Sequence, residues 1–146
     1  MDVQTAVLCD SAADYAGKLC ILGAFDTIWA RQFPAVHPFC SVAIRVIFRD
    51  TDAGKHKMKI QMIDGDGRNL VPPIEGDINI HLPDNVFFLS QNFVLNLQQF
   101  KIDQPGQYSV DVSIDGDMIA RIPLQVIKVD QIPPAMPQSP KEPGFE

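Results

Sequence analysis

Apolar and polar residues alternate with period two along most of this chain. Residues 40–48, CSVAIRVIF, place Cys40, Val42, Ile44, Val46 and Phe48 on one side and Ser41 and Arg45 on the other. KMKIQMI (57–63) groups Met58, Ile60 and Met62 opposite Lys57, Lys59 and Gln61. DINIHL (77–82) and QYSVDVSI (107–114) repeat the scheme, the second with Tyr108, Val110, Val112 and Ile114 against Ser109, Asp111 and Ser113. Such spacing marks strands buried on one face. LCILGAF (19–25) is apolar on both faces and reads as a central strand with Gly23 at a close approach or bulge. VFFLSQNFVLNLQQF (86–100) is too long for one uninterrupted strand and predicts two, near 86–90 and 93–98, broken at Gln91 and Asn92.

Turn chemistry separates these runs. Asp115-Gly116 between two alternating stretches is a strong hairpin signal. DTDAGKH (50–56) and IDGDGRN (63–69) read as turns, and VPPIEG (71–76) cannot be a paired central strand because proline donates no ladder hydrogen bond. Pro123 within MIARIPLQVIKV (118–129) predicts an edge strand. Near the N-terminus a first strand at about 3–9, followed by a loop, fits better than a short helix over 5–17. About eight short strands and no firm helix predict an all-β fold, an antiparallel β-sandwich of immunoglobulin-like type. The sequence PGQYSVDV sharpens this, because a Tyr at the start of a late strand, here Tyr108, is placed as a tyrosine corner is. The expected domain covers 1–130, and the five prolines within 131–146 predict a disordered tail outside it.

Composition narrows the function classes. At 146 residues the chain is long enough for one self-sufficient core. A net charge of −6 argues against nucleic acid and against an anionic membrane surface as partners. Three cysteines, an odd number without a framework spacing, predict reduced thiols. The N-terminal residues lack a basic region followed by an apolar core, so a cytoplasmic location is expected.

Few residues suggest chemistry. FPAVHPFC (33–40) brings His37 close to Cys40 in sequence, with Cys20 upstream. A zinc site needs converging thiolates or imidazoles, usually in paired spacing, and no Cys-x-x-Cys occurs. Cys40 belongs to the inward face of its strand, and a nucleophile there would lack an orienting third group. Residues preceding proline are pushed to extended conformations, so 33–38 reads as a stiff crossover in which His37 hydrogen-bonds a nearby loop. The acidic turns at 50–54 and 64–67 suggest calcium, but the intervening strand spans roughly 25 Å, which keeps Asp50 and Asp52 from sharing an ion with Asp64 and Asp66. Trp29, with Arg31 and Phe33, could form a binding patch at a strand end, although burial of Trp29 between the sheets is the preferred reading.

DYAGKLCILGAFDTIWARQFPAVHP (14–38) resembles the N-terminal signature of a bacterial family of uncharacterised proteins, a domain of unknown function with DYA, KLxILGxFDxI and FPAxHP motifs. DGDGR (64–68), PPIEG (72–76) and PGQYSVDVSIDG (105–116) are similar to it as well, so the resemblance runs from about 7 to 127. It implies a small β-sandwich and brings no activity, cofactor or site residue. The resulting expectation is a non-enzymatic module, with no cofactor, that binds a protein partner or forms a homo-oligomer. Trp29, Arg31, Phe33, His37 and Tyr108 are its candidate interaction or structural residues. The alternative is a module for a small ligand, carbohydrate or calcium.

Overall fold

Period-two patterning resolves, among the described residues, into nine strands in two sheets. The computed structural model describes residues 1–131, so the expected proline-rich tail, apart from Gln131, lies outside the described residues. The strands are β1 (Asp2–Tyr15), β2 (Lys18–Phe25), β3 (Thr27–Ala30), β4 (Ala35–Phe48), β5 (Gly54–Asp64), β6 (Ile74–Ile80), β7 (Leu89–Ile102), β8 (Gly106–Ile114) and β9 (Asp117–Lys128). One sheet has the order β2-β1-β4-β7 and the other β3-β9-β8-β5-β6. All pairs are antiparallel except β3 with β9, where Thr27 lies beside Gln125 and Ala30 beside Lys128 in parallel. An N-terminal strand on one sheet, followed by a short segment parallel to the last strand of the other, is compatible with an immunoglobulin-like sandwich.

The two inner faces meet in a core that includes Leu8, Val42, Ile44, Val46, Phe48, Ile102, Val110, Val112 and Leu124. The alternating runs supply Val42, Ile44, Val46, Phe48, Val110 and Val112 as expected. The tyrosine corner is present as well: the Tyr108 hydroxyl donates to the Gln104 carbonyl. The β8–β9 turn has φ of +53° at Asp115 and +86° at Gly116, the doubly left-handed geometry that suits a two-residue hairpin.

Five expectations need correction. The apolar run 19–25 is an edge strand, β2, and not a central one; its pattern reflects exposed rather than doubly buried side chains. The first strand continues to Tyr15 and turns through Ala16 and Gly17, both at positive φ, where a loop was expected. Residues 89–102 form one strand that pairs with β4 in one register from Leu89 to Ile102, so no break occurs at Gln91 and Asn92. The preceding Val86, Phe87 and Phe88 lie outside that strand. Pro123 sits on a strand flanked on both sides, but β3 reaches only Gln125–Lys128, so the proline falls where that side is open. Finally, residues 35–38 belong to β4 itself and not to a crossover.

Candidate functional site

The β1–β2 hairpin creates the most distinctive surface. Register is constant from Leu8–Phe25 to Tyr15–Lys18, but Asp10 and Gly23, which oppose each other, do not pair. Gly23 has φ of +69°, and a Cβ there would lie 2.4 Å from Asp10 Oδ2, so a larger residue would have to displace the Asp10 side chain and hold a strained left-handed backbone. Beyond that point β1 leaves β4, since its pairing with β4 ends at Cys9–Ser41. The distal part of the hairpin, residues 10–23, is thus an arm.

Polar bonds fix where the arm goes. The Gly17 carbonyl at its tip accepts from Arg45 Nη1 at 2.9 Å and from Asn92 Nδ2 at 3.3 Å. Asp14 accepts from Asn92 Nδ2 and from the Gly17 N–H, at 2.9 and 3.0 Å. The Asn92 amide, then the Gly17 N–H, hold the Asp14 carboxyl below its ordinary range. Arg45 also donates to Gln4, the extra residue of a bulge between Val3 and Thr5, and to Asn92, each at 2.7 Å. Arg45 and Asn92 are cross-strand neighbours on the outer face of the β4–β7 pair, so the arm folds back across that face. This explains why Ser41 and Ala43, which point away from the core, are 0% exposed.

Cross-strand neighbours share a face. One face of the arm carries Ala12 with Ile21 and Asp14 with Leu19; it contains the half-buried Ala12 and Leu19 and the Asn92-bonded Asp14. The other carries Ser11 with Leu22, Ala13 with Cys20, and Tyr15 with Lys18. Leu22 is 70% exposed and Tyr15 69%, and Cys20 is exposed beside them. Lys18 is the one charge on this face. A second apolar projection, Val86–Phe88, leads into β7, with Phe87 92% exposed.

The residues singled out from sequence are dispersed. Trp29 is not in the core: it is 43% exposed, because Ile28 and Ala30 take the two inward positions of the four-residue β3. Arg31 is exposed in the following bend, while Phe33 packs against the core, so the three do not form one patch. His37 does not bond a loop; no hydrogen bond joins its ring to another described residue, and it packs on Phe25 with centroids 5.5 Å apart. It faces the same side as Phe100, its neighbour in β7, because alternation breaks at Pro38 and at Gln99, where φ is +52°. Tyr108 is structural, as described. Cys40 is buried, and burial pushes its thiol up to about 11, with Cys9 and Asp10 adding to the effect. Cys9 is raised for the same first reason. The acidic turns do lie at opposite ends of β5. Among the described residues no group of three or more His, Cys, Asp or Glu could hold a metal ion.

Sequence reasoning missed His56. Its Nδ1 meets Asp115 Oδ2 at 2.5 Å and its Nε2 meets the Asp52 carbonyl at 2.6 Å. Both partners accept, so both ring nitrogens donate and the imidazolium is the form that fits. The Asp115 carboxylate foremost, then the Asp52 carbonyl, raise the His56 pKa. Asp115 lies 59 positions away in sequence, too far for any local motif to signal. A shallow concavity of about 470 Å³ opens beside it, lined by Lys55, Lys57, Asp77, Asn79 and Asp115 among others. With both ring nitrogens donating, His56 clamps the two turns together.

Comparison with known proteins adds little beyond a family. Residues 4–127 match the model of a family described as "Family of unknown function (DUF6941)". No curated protein matches the sequence. Among solved structures, a glycosyl hydrolase family 2 member from Bacteroides cellulosilyticus DSM 14838 is similar at 14% identity and a TM-score of 0.35. That likeness covers 63% of this chain and only 13% of the other, and it bears on neither fold nor activity. No helix among the described residues is long and apolar enough to cross a membrane.

Proposed function

From the premise that the chain belongs to the family of unknown function DUF6941, we propose that it is a non-enzymatic interaction module that engages protein through the β1–β2 arm. The observation that carries this reading is the arm's outer face. Ala13, Tyr15, Cys20 and Leu22 form an apolar strip on a two-stranded element that is bonded to the sandwich on its other side. Large aliphatic and aromatic side chains held in solvent by a positioned scaffold are the usual mark of a contact surface. Two of the three thiols, Cys9 and Cys40, are buried with raised pKa, and both His56 nitrogens are engaged, which supports a non-enzymatic reading. Light scattering across a concentration series tests the self-assembling form of this reading; growth of mass with concentration is expected, and a strict monomer at high concentration counts against it.

A further inference from the structure

We infer that the surface of the arm is completed by a second copy of this chain, through antiparallel pairing of β2 with β2 about a two-fold axis at Cys20. The inference rests on the interaction reading above and names its partner. Tyr15 and Lys18 close the two-residue turn, so the backbone groups of Lys18 point toward β1. By alternation, the N–H and C=O groups of Leu19 and Ile21 point to the open side, where β2 has no described neighbour. A strand is what satisfies such a row of donors and acceptors.

Charge selects a second copy. The chain carries −6 overall, so most approaches between copies bring acid to acid. β2 begins at Lys18 and contains no acid, while Asp26 follows its last residue and Asp10 lies beside Gly23 near that same end. Antiparallel self-pairing runs the basic start of one strand along the acidic end of the other, twice by symmetry. The other sheet edges suit this less well. β6 carries Glu75 and Asp77, β3 is four residues long, and most of β7 is half-buried.

The straight part of β2, before Gly23, sets the register. Pairing about Cys20 puts Leu19 opposite Ile21 in a hydrogen-bonded pair, Lys18 opposite Leu22, and Cys20 opposite its own copy in a non-hydrogen-bonded pair. The Cα atoms of such a pair stand about 4.5 Å apart, within disulfide reach. Leu22 and Cys20 of both copies then lie on one continuous apolar face with Ala13 and Tyr15.

The register makes the test specific. In sedimentation equilibrium Leu22→Lys, which sets lysine against Lys18 of the other copy at two symmetric places, is expected to weaken the dimer about tenfold. Leu22→Glu, which sets a carboxylate there, is expected to hold it within about twofold. Diamide, which takes two electrons and two protons from a thiol pair, is expected to link the copies at Cys20 and to leave Cys20→Ser unlinked. A dimer indifferent to Leu22→Lys, or not linked through Cys20, overturns this inference while leaving self-assembly through another surface. A strict monomer overturns both the inference and the self-assembling form of the function.

Discussion

Two single residues pin turns through side-chain hydrogen bonds, His56 between distant turns and Tyr108 within a local one, and both can be measured. The His56 ring joins the turn at Asp52 to the β8–β9 turn at Asp115 through two donated hydrogen bonds. Its folded pKa lies above the ordinary 6.5, so its contribution is complete below that value and is lost as pH rises through the raised one. Asp115 is held below the ordinary 3.8, first by the His56 bond, so its contribution is present above that value and is lost as pH falls. The clamp therefore operates from about pH 4 to somewhat above 6.5. His56→Ala is expected to cost about 1–2 kcal/mol in denaturant titrations at pH 6, with a smaller difference from the native protein at pH 8.5. Tyr108→Phe removes the bond to the Gln104 carbonyl and nothing apolar. It is expected to lower stability by about 1 kcal/mol, which urea unfolding would detect. Tyr108 was legible in the sequence because the corner is local. His56 was not, because its partner belongs to a turn far along the chain.

At the scale of elements, the arm depends on a glycine hinge and an arginine anchor. Arg45→Met removes the bonds to Gly17, Asn92 and Gln4 without emptying the core. Amides of residues 11–22 are expected to exchange about tenfold faster, with those of β4 and β8 little changed, as read by hydrogen-exchange mass spectrometry. Gly23→Val forces a β-branched residue to a φ of +69° and its Cβ against Asp10. A cost of roughly 1–3 kcal/mol is expected in thermal or urea unfolding. The alternating strands β5, β8 and β9 were readable because one face packs in the core and the other is largely polar. β4 was readable because its side chains alternate in the same way, even though the arm covers Ser41 and Ala43 on its outer face. β2 misled because an apolar run looks the same whether it is covered on both sides or exposed at an edge; periodicity records side-chain character and not neighbours. β7 misled because the polar residues Gln91 and Asn92, taken for a break, lie within a strand, with Asn92 receiving the arm.

For the whole molecule, two sheets enclose one core and carry an accessory hairpin over one outer face. The fold class and much of the core were legible, since inward positions such as Val42, Ile44 and Val112 follow from alternation alone. The candidate site was not, because Leu22, Tyr15 and Cys20 become a surface only once the hairpin has folded back. Trp29, the largest side chain and the natural first choice for the core, lies instead on the short β3. The central claim is that the open edge of β2 is a contact surface between copies. Hydrogen exchange at the Leu19 and Ile21 amides, followed from low to high protein concentration, tests it most directly. The account predicts that these two amides slow as concentration rises, while the Lys18 amide, already paired within the hairpin, changes much less. Exchange at Leu19 and Ile21 that is independent of concentration, or concentration-dependent protection confined to Val86–Phe88, would contradict it.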